Sequence, residues 1–169
     1  MFFSPLSSYL FYIIPVLINN FNIPIYMYKR LSILSICSSI YHITDQYSLR
    51  KNTNRLLLKI SEWLDGSSII LICNSFLFNN KTNILIDQQL LLFYSITKLV
   101  SNVEIVKKII YSITFLKMAY IRPVVSIPFL FGGTGFYNYI QNNKWNHYNR
   151  SIWHLGNAIY IGLSMHYLL

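Results

Sequence analysis

A chain of 169 residues has the length of one domain, 1–169, and 54% of this one is hydrophobic, 17% aromatic and only 11% charged. An ordinary soluble domain carries about 25% charged residues, so the composition excludes that class and points to an integral, multi-pass membrane protein. The 14 Lys and Arg against 5 Asp and Glu give a net charge of +9, but the bases cluster between apolar runs, as in Lys29-Arg30, Arg50-Lys51 and Lys107-Lys108. Such clusters read as membrane-flanking charges facing lipid headgroups. Membrane lipids are therefore the expected partners, and nucleic acid is not.

Seven apolar runs follow in chain order, at about 2–19, 31–46, 64–79, 84–100, 105–121, 123–140 and 151–169. Most approach the ~17–25 residues a helix needs to cross a bilayer, and closed barrels would show ~10-residue alternating segments instead. The expectation is an all-α, seven-transmembrane-helix bundle. The first run has neither a basic n-region nor a small-residue cleavage site, and reads as a retained span rather than a signal peptide. Between runs two and three, Arg50, Lys51, Arg55 and Lys59 alternate with Leu56, Leu57, Leu58 and Ile60, which predicts a short interfacial amphipathic helix between Gln46 and Trp63. Lys107, Lys108 and Lys117 interrupt the fifth run and must snorkel or face the bundle. In the sixth, the glycines of 131–136 predict close helix packing through small residues, since no Lys-Ser/Thr follows to make a phosphate loop. Asp87 and Glu104 open apolar segments, where a carboxylate suits a helix N-terminus. Cys37 and Cys73 lie within apolar runs and indicate no disulfide framework.

Against this apolar background the polar insertions stand out. Ser38, His42 and Asp45 fall at i, i+4 and i+7, one face of a helix. Asp65 begins the third run. His147, Arg150, Ser151, His154 and Asn157 form a second stripe at the start of the seventh. Ionisable groups are costly in hydrocarbon, so an intramembrane His or Asp marks a functional site by default. With seven spans, the end of run two and the starts of runs three and seven share one side of the membrane. Imidazoles and carboxylates converging there would suit zinc, whose bound water is a nucleophile near neutral pH. A carboxylate would handle that water's proton, and a serine hydroxyl would hold the oxyanion. The reaction expected is hydrolysis of a lipid amide or ester; the alternative is a non-enzymatic bundle that keeps its polar centre for stability, lipid binding or membrane remodelling.

Ser38-Ser39-Ile40-Tyr41-His42-Ile43-Thr44-Asp45, Asp65-Gly66-Ser67-Ser68 and Arg150-Ser151-Ile152-Trp153-His154 resemble the three polar motifs of the seven-helix superfamily of alkaline ceramidases, adiponectin and progestin receptors and myomaker-like proteins. The form of the first and third motifs is most similar to the myomaker-like branch. The resemblance implies a zinc site with a span-two histidine and two span-seven histidines, an aspartate on span three, and a serine one turn before the first histidine. Carried over by position, these are His42 and His154 as metal ligands, Asp65, and Ser38. The family pattern in span seven is His-Ser-x-Trp-His, and here Arg150 stands in place of its first histidine. A guanidinium has no lone pair for a metal. His147 lies about 10.5 Å of helical rise from His154, too far to share one ion. Two arrangements stay open: Asp45 supplies a carboxylate ligand, or Arg150 fills the metal's place and pairs with Asp65 or Asp45. Orientation is open as well. The basic loops place the site near the cytoplasmic face with the N-terminus inside, whereas the resemblance implies the N-terminus outside.

Overall fold

The computed structural model describes residues 3–51, 55–77, 84–101, 105–143 and 147–165. Every regular element among them is a helix: α1 Phe3–Ser7, α2 Leu10–Ile18, α3 Ile25–Lys51, α4 Arg55–Leu77, α5 Ile84–Ser101, α6 Ile105–Ile121, α7 Pro123–Asn143 and α8 His147–Met165. Helices α1 and α2 are separated only by a turn at Ser8 and Tyr9, through which i→i+3 bonds continue (Tyr9 N to Leu6 O, Tyr12 N to Tyr9 O). The described residues therefore make seven rods, and these match the seven apolar runs in order. No helix among the described residues is long and apolar enough to cross a membrane.

Local chemistry sets the rod ends. After α2 the chain reverses through Asn20 and Phe21, both at positive φ. Phe21 N donates to Val16 O and Asn20 N to Leu17 O, a Schellman closure with asparagine in the left-handed position. Between α6 and α7, Pro123 occupies the first helical position, and Val125 N and Ser126 N both close onto Arg122 O. Proline has no N–H to continue α6 and its φ is already helical, so one helix stops and the next starts there. The predicted interfacial helix between Gln46 and Trp63 is not a separate element. Its residues extend α3 to Lys51 and start α4 at Arg55, because Leu56, Leu57 and Leu58 continue the helical period of the run that follows.

Packing orders the rods into a ring. Helix α3 lies against α1, α2 and α4; α4 touches α6; α6 touches α7; α7 touches α8; and α8 closes the ring on α1 and α2. Helix α5 stands outside it, against α4 and α6. Phe11, Val16, Met27, Leu31, Leu34, Phe76, Met118, Ala158 and Met165 fill the main core, and Ile70, Cys73, Tyr94 and Ile110 form a smaller one beneath α5. Close approach is concentrated at two glycines. A Cβ on Gly162 would stand 3.0 Å from Pro15 Cα and 2.8 Å from Ile18 Cδ1, so α8 meets α2 nearly backbone to backbone. A Cβ on Gly66 would overlap the Tyr94 hydroxyl of α5. Gly132, Gly133 and Gly135, by contrast, have nothing within 4 Å of such a Cβ, so among the described residues these glycines do not make the close helix packing expected of 131–136.

The interior is rich in polar side chains. Buried polar side chains outnumber buried apolar ones among the described residues, while Leu99, Val124 and Tyr120 are 85–90% exposed. Many interior hydroxyls are satisfied within their own helix, as Ser32 to Tyr28 O, Ser75 to Leu71 O and Thr114 to Ile110 O. Arg30, expected as a flanking charge, is instead 7% exposed. Its guanidinium pairs with Asp87 at the start of α5 and donates to Ser75 and to Leu71 O of α4. Asn74 Nδ2 donates to the other oxygen of Asp87. Lys117 faces the bundle, donating to Phe76 O and Leu77 O, the carbonyls left open at the end of α4.

Candidate functional site

The cluster sits where the end of α3, the start of α8 and the start of the first rod meet. His42 and His154, 112 residues apart, face each other with Nε2 atoms 2.9 Å apart and ring centroids 4.7 Å apart. Both are 6% exposed. At that separation one Nε2–H must donate to the other's lone pair, so the pair shares a single proton. The Ser7 hydroxyl lies 2.8 Å from His154 Nδ1, and the rings of Phe11 and Tyr41 pack at 5.1 Å on His154 and His42 respectively. Ser8, fully buried, donates to Ser38 Oγ at 3.2 Å. Ser39 donates to Pro5 O at 2.7 Å. Three serine links thus pin α1 and the turn after it onto α3 and α8, although α1 is only five residues long.

One turn outward from the imidazoles, Arg150 Nη1 lies 2.6 Å from Asp45 Oδ2, with the two side chains 21% and 14% exposed. Of the two arrangements the sequence left open, the structure has the ion pair, and its partner is Asp45. One turn the other way along α8, Asn157 accepts from Tyr111 of α6 at 3.1 Å. The stripe Arg150, His154, Asn157 therefore addresses α3 and α6 from one face of α8. Asp65, on α4, lies within electrostatic reach of Cys37 and Tyr41 on the adjoining turns of α3, and Ser68 donates to its backbone carbonyl. The side chains of His147, Glu104 and Lys107 fall outside the described residues.

The three sequence motifs thus lie on three neighbouring helices, with Ser38, His42 and Asp45 on α3, His154 and Arg150 on α8, and Asp65 on α4. Ser7 and Ser8 were not anticipated. The signal for them was available, because the parity that aligns the end of run two with the start of run seven also aligns the start of run one. A Ser-Ser pair there belongs at the depth of the histidines.

Zinc can be tested against these donors. Two Nε2 atoms facing each other could hold one ion once the proton between them is lost, and at ~2.0–2.1 Å from each nitrogen it would set them about 3.3 Å apart. A catalytic site needs about three protein ligands. Asp45 is committed to Arg150, the guanidinium offers no lone pair, and no group of three His, Cys, Asp or Glu side chains among the described residues is placed around one point. The residues present supply two ligands of three and do not complete the set. No family model, characterised protein or solved structure matches this chain.

Proposed function

We infer that the chain is a seven-helix membrane protein whose buried His42–His154 centre hydrolyses an amide or ester bond of a membrane lipid, a reading supported by the resemblance of its motifs to those of the ceramidase and myomaker-like proteins. One observation carries the reading: the ring closes on two histidines in direct contact, with the Ser7 hydroxyl on one of them, inside a bundle that exposes many large apolar side chains. The rods are 16–27 residues long, close to a bilayer's thickness. Their modest individual apolarity has a physical cause, since each carries polar residues whose partners are neighbouring helices. Assembled, such helices satisfy one another and present Leu, Ile, Val and Phe outward. At the rod ends, where ester and amide carbonyls of lipids lie, the polar centre is within reach of a substrate entering from the bilayer.

A second reading is favoured by the Arg150–Asp45 pair. A fixed cation one helical turn from His154 occupies the place of the missing ligand, and the bundle would then keep a closed polar centre for lipid binding or membrane remodelling without hydrolysis. Reconstitution of the purified chain into vesicles containing ceramide and phosphoglyceride esters separates the two. Fatty-acid release that falls at least ~10²-fold in His42→Ala and His154→Ala supports the hydrolase; folded protein that releases none supports the second reading.

A further inference from the structure

The centre contains a nucleophile, base and orienting group that need no metal. We propose that Ser7 is the nucleophile of an acyl-transfer reaction on long-chain lipid esters, with His154 as its base and His42 as the residue that positions His154; this rests on the hydrolase reading above. The Ser7 hydroxyl is 2.8 Å from His154 Nδ1, within the range a nucleophile–base pair requires. The opposite ring nitrogen of His154 is 2.9 Å from His42 Nε2. When His154 donates its Nε2–H to His42, its Nδ1 lone pair is left facing the serine, so His42 selects the tautomer that can accept the Ser7 proton. The ring of Phe11 against His154 and the burial of Ser7, Ser8 and Ser38 keep bulk water from that proton. Ser38 accepts from Ser8, which leaves its own proton to stabilise an oxyanion.

The steps balance without an added reactant beyond water. Ser7 Oγ bonds to the ester carbonyl carbon as its proton passes to His154 Nδ1. The carbon–oxygen bond to the leaving alcohol then breaks, and the alcohol takes that proton. Water, deprotonated by His154, attacks the acyl-serine, and the fatty acid leaves as Ser7 recovers its proton. Arg150 has a place in this scheme that it lacks in a zinc site: anchored on Asp45 one turn away, it fixes the rotation of α8 that aims His154 at both partners.

A long-chain alkyl fluorophosphonate tests the assignment on the full chain in micelles, because an activated serine displaces its fluoride and retains the phosphonyl group. The expected result is one adduct per chain, located on Ser7 by peptide mass spectrometry and formed equally in the presence of EDTA. Ser7→Ala abolishes the adduct, and Ser32→Ala, on α3 away from the histidines where its hydroxyl donates to Tyr28 O, retains it. His154→Ala slows labelling by about 10²–10⁴-fold, and His42→Asn slows labelling while circular dichroism and elution volume stay unchanged. An adduct on another serine, labelling that persists in Ser7→Ala, or lipid hydrolysis that EDTA abolishes in unlabelled protein would each overturn the proposal. The last of these would leave the hydrolase reading standing, whereas absence of both labelling and hydrolysis removes the two together.

Discussion

Asp45 and Arg150 hold α3 to α8 beside the histidines, and breaking that pair has a magnitude that can be worked out. Two unit charges about 4 Å apart at an effective dielectric near 20 attract by about 4 kcal/mol, offset by the desolvation each suffers on leaving water. Removing one member is a different matter from removing both. Asp45→Leu alone leaves a guanidinium and Arg150→Met alone leaves a carboxylate, each largely buried without its counter-charge, at about 3–5 kcal/mol. The side chains keep 21% and 14% exposure, which puts the expected single-variant loss near the lower figure, or about 6–12 °C in melting temperature for a chain of this size. Asp45→Leu combined with Arg150→Met removes both charges with similar bulk and should lie within ~1 kcal/mol of the parent. Thermal unfolding of the four proteins in one detergent completes the cycle. A double variant as unstable as the two singles added together would show that the pair is not coupled, and would refute the role assigned to it.

The same structure fixes the direction of several other changes. Gly162→Ala should destabilise by about 1–3 kcal/mol, read by the same melts, because its methyl would press on Pro15 Cα, a backbone atom that cannot swing aside. Gly66→Ala should lower the melting temperature by pushing on the Tyr94 hydroxyl, and Tyr94→Phe in that background should recover part of the loss. Lys117→Met uncovers the carbonyls of Phe76 and Leu77 and should cost about 1–3 kcal/mol. Arg150→His adds an imidazole at i, i+4 with His154, so metal analysis should find about one zinc per chain in that variant and substoichiometric zinc in the parent.

The helical rods were legible because apolar runs separated by Asn, Lys and Pro leave little choice of register. Their parity then placed His42, Asp45, Asp65, Arg150 and His154 at one end. Partner choice was not legible. Whether Arg150 would take Asp45 or Asp65 depends on how α3, α4 and α8 are turned against one another, which the residues around position 150 do not encode. Arg30 read as a flanking charge because adjacency to Lys29 says nothing about burial; only the arrival of Asp87 from a helix 57 residues away makes an interior cation tolerable. The segment from Gln46 to Trp63 looked separate because its bases alternate with leucines, yet the same spacing simply prolongs the two helices beside it.

The closure of the ring through α8 also sets an order of events during synthesis. Ser7 meets His154 across 147 residues and Asp45 meets Arg150 across 105, so neither link can form until α8 has emerged. Until α8 has docked, Asp45 lacks Arg150, His42 lacks His154 and α2 lacks the backbone surface that Gly162 provides. Helix α8 therefore acts as a latch on the helices made before it, since its docking supplies both the charge that Asp45 pairs with and the imidazole that His42 faces.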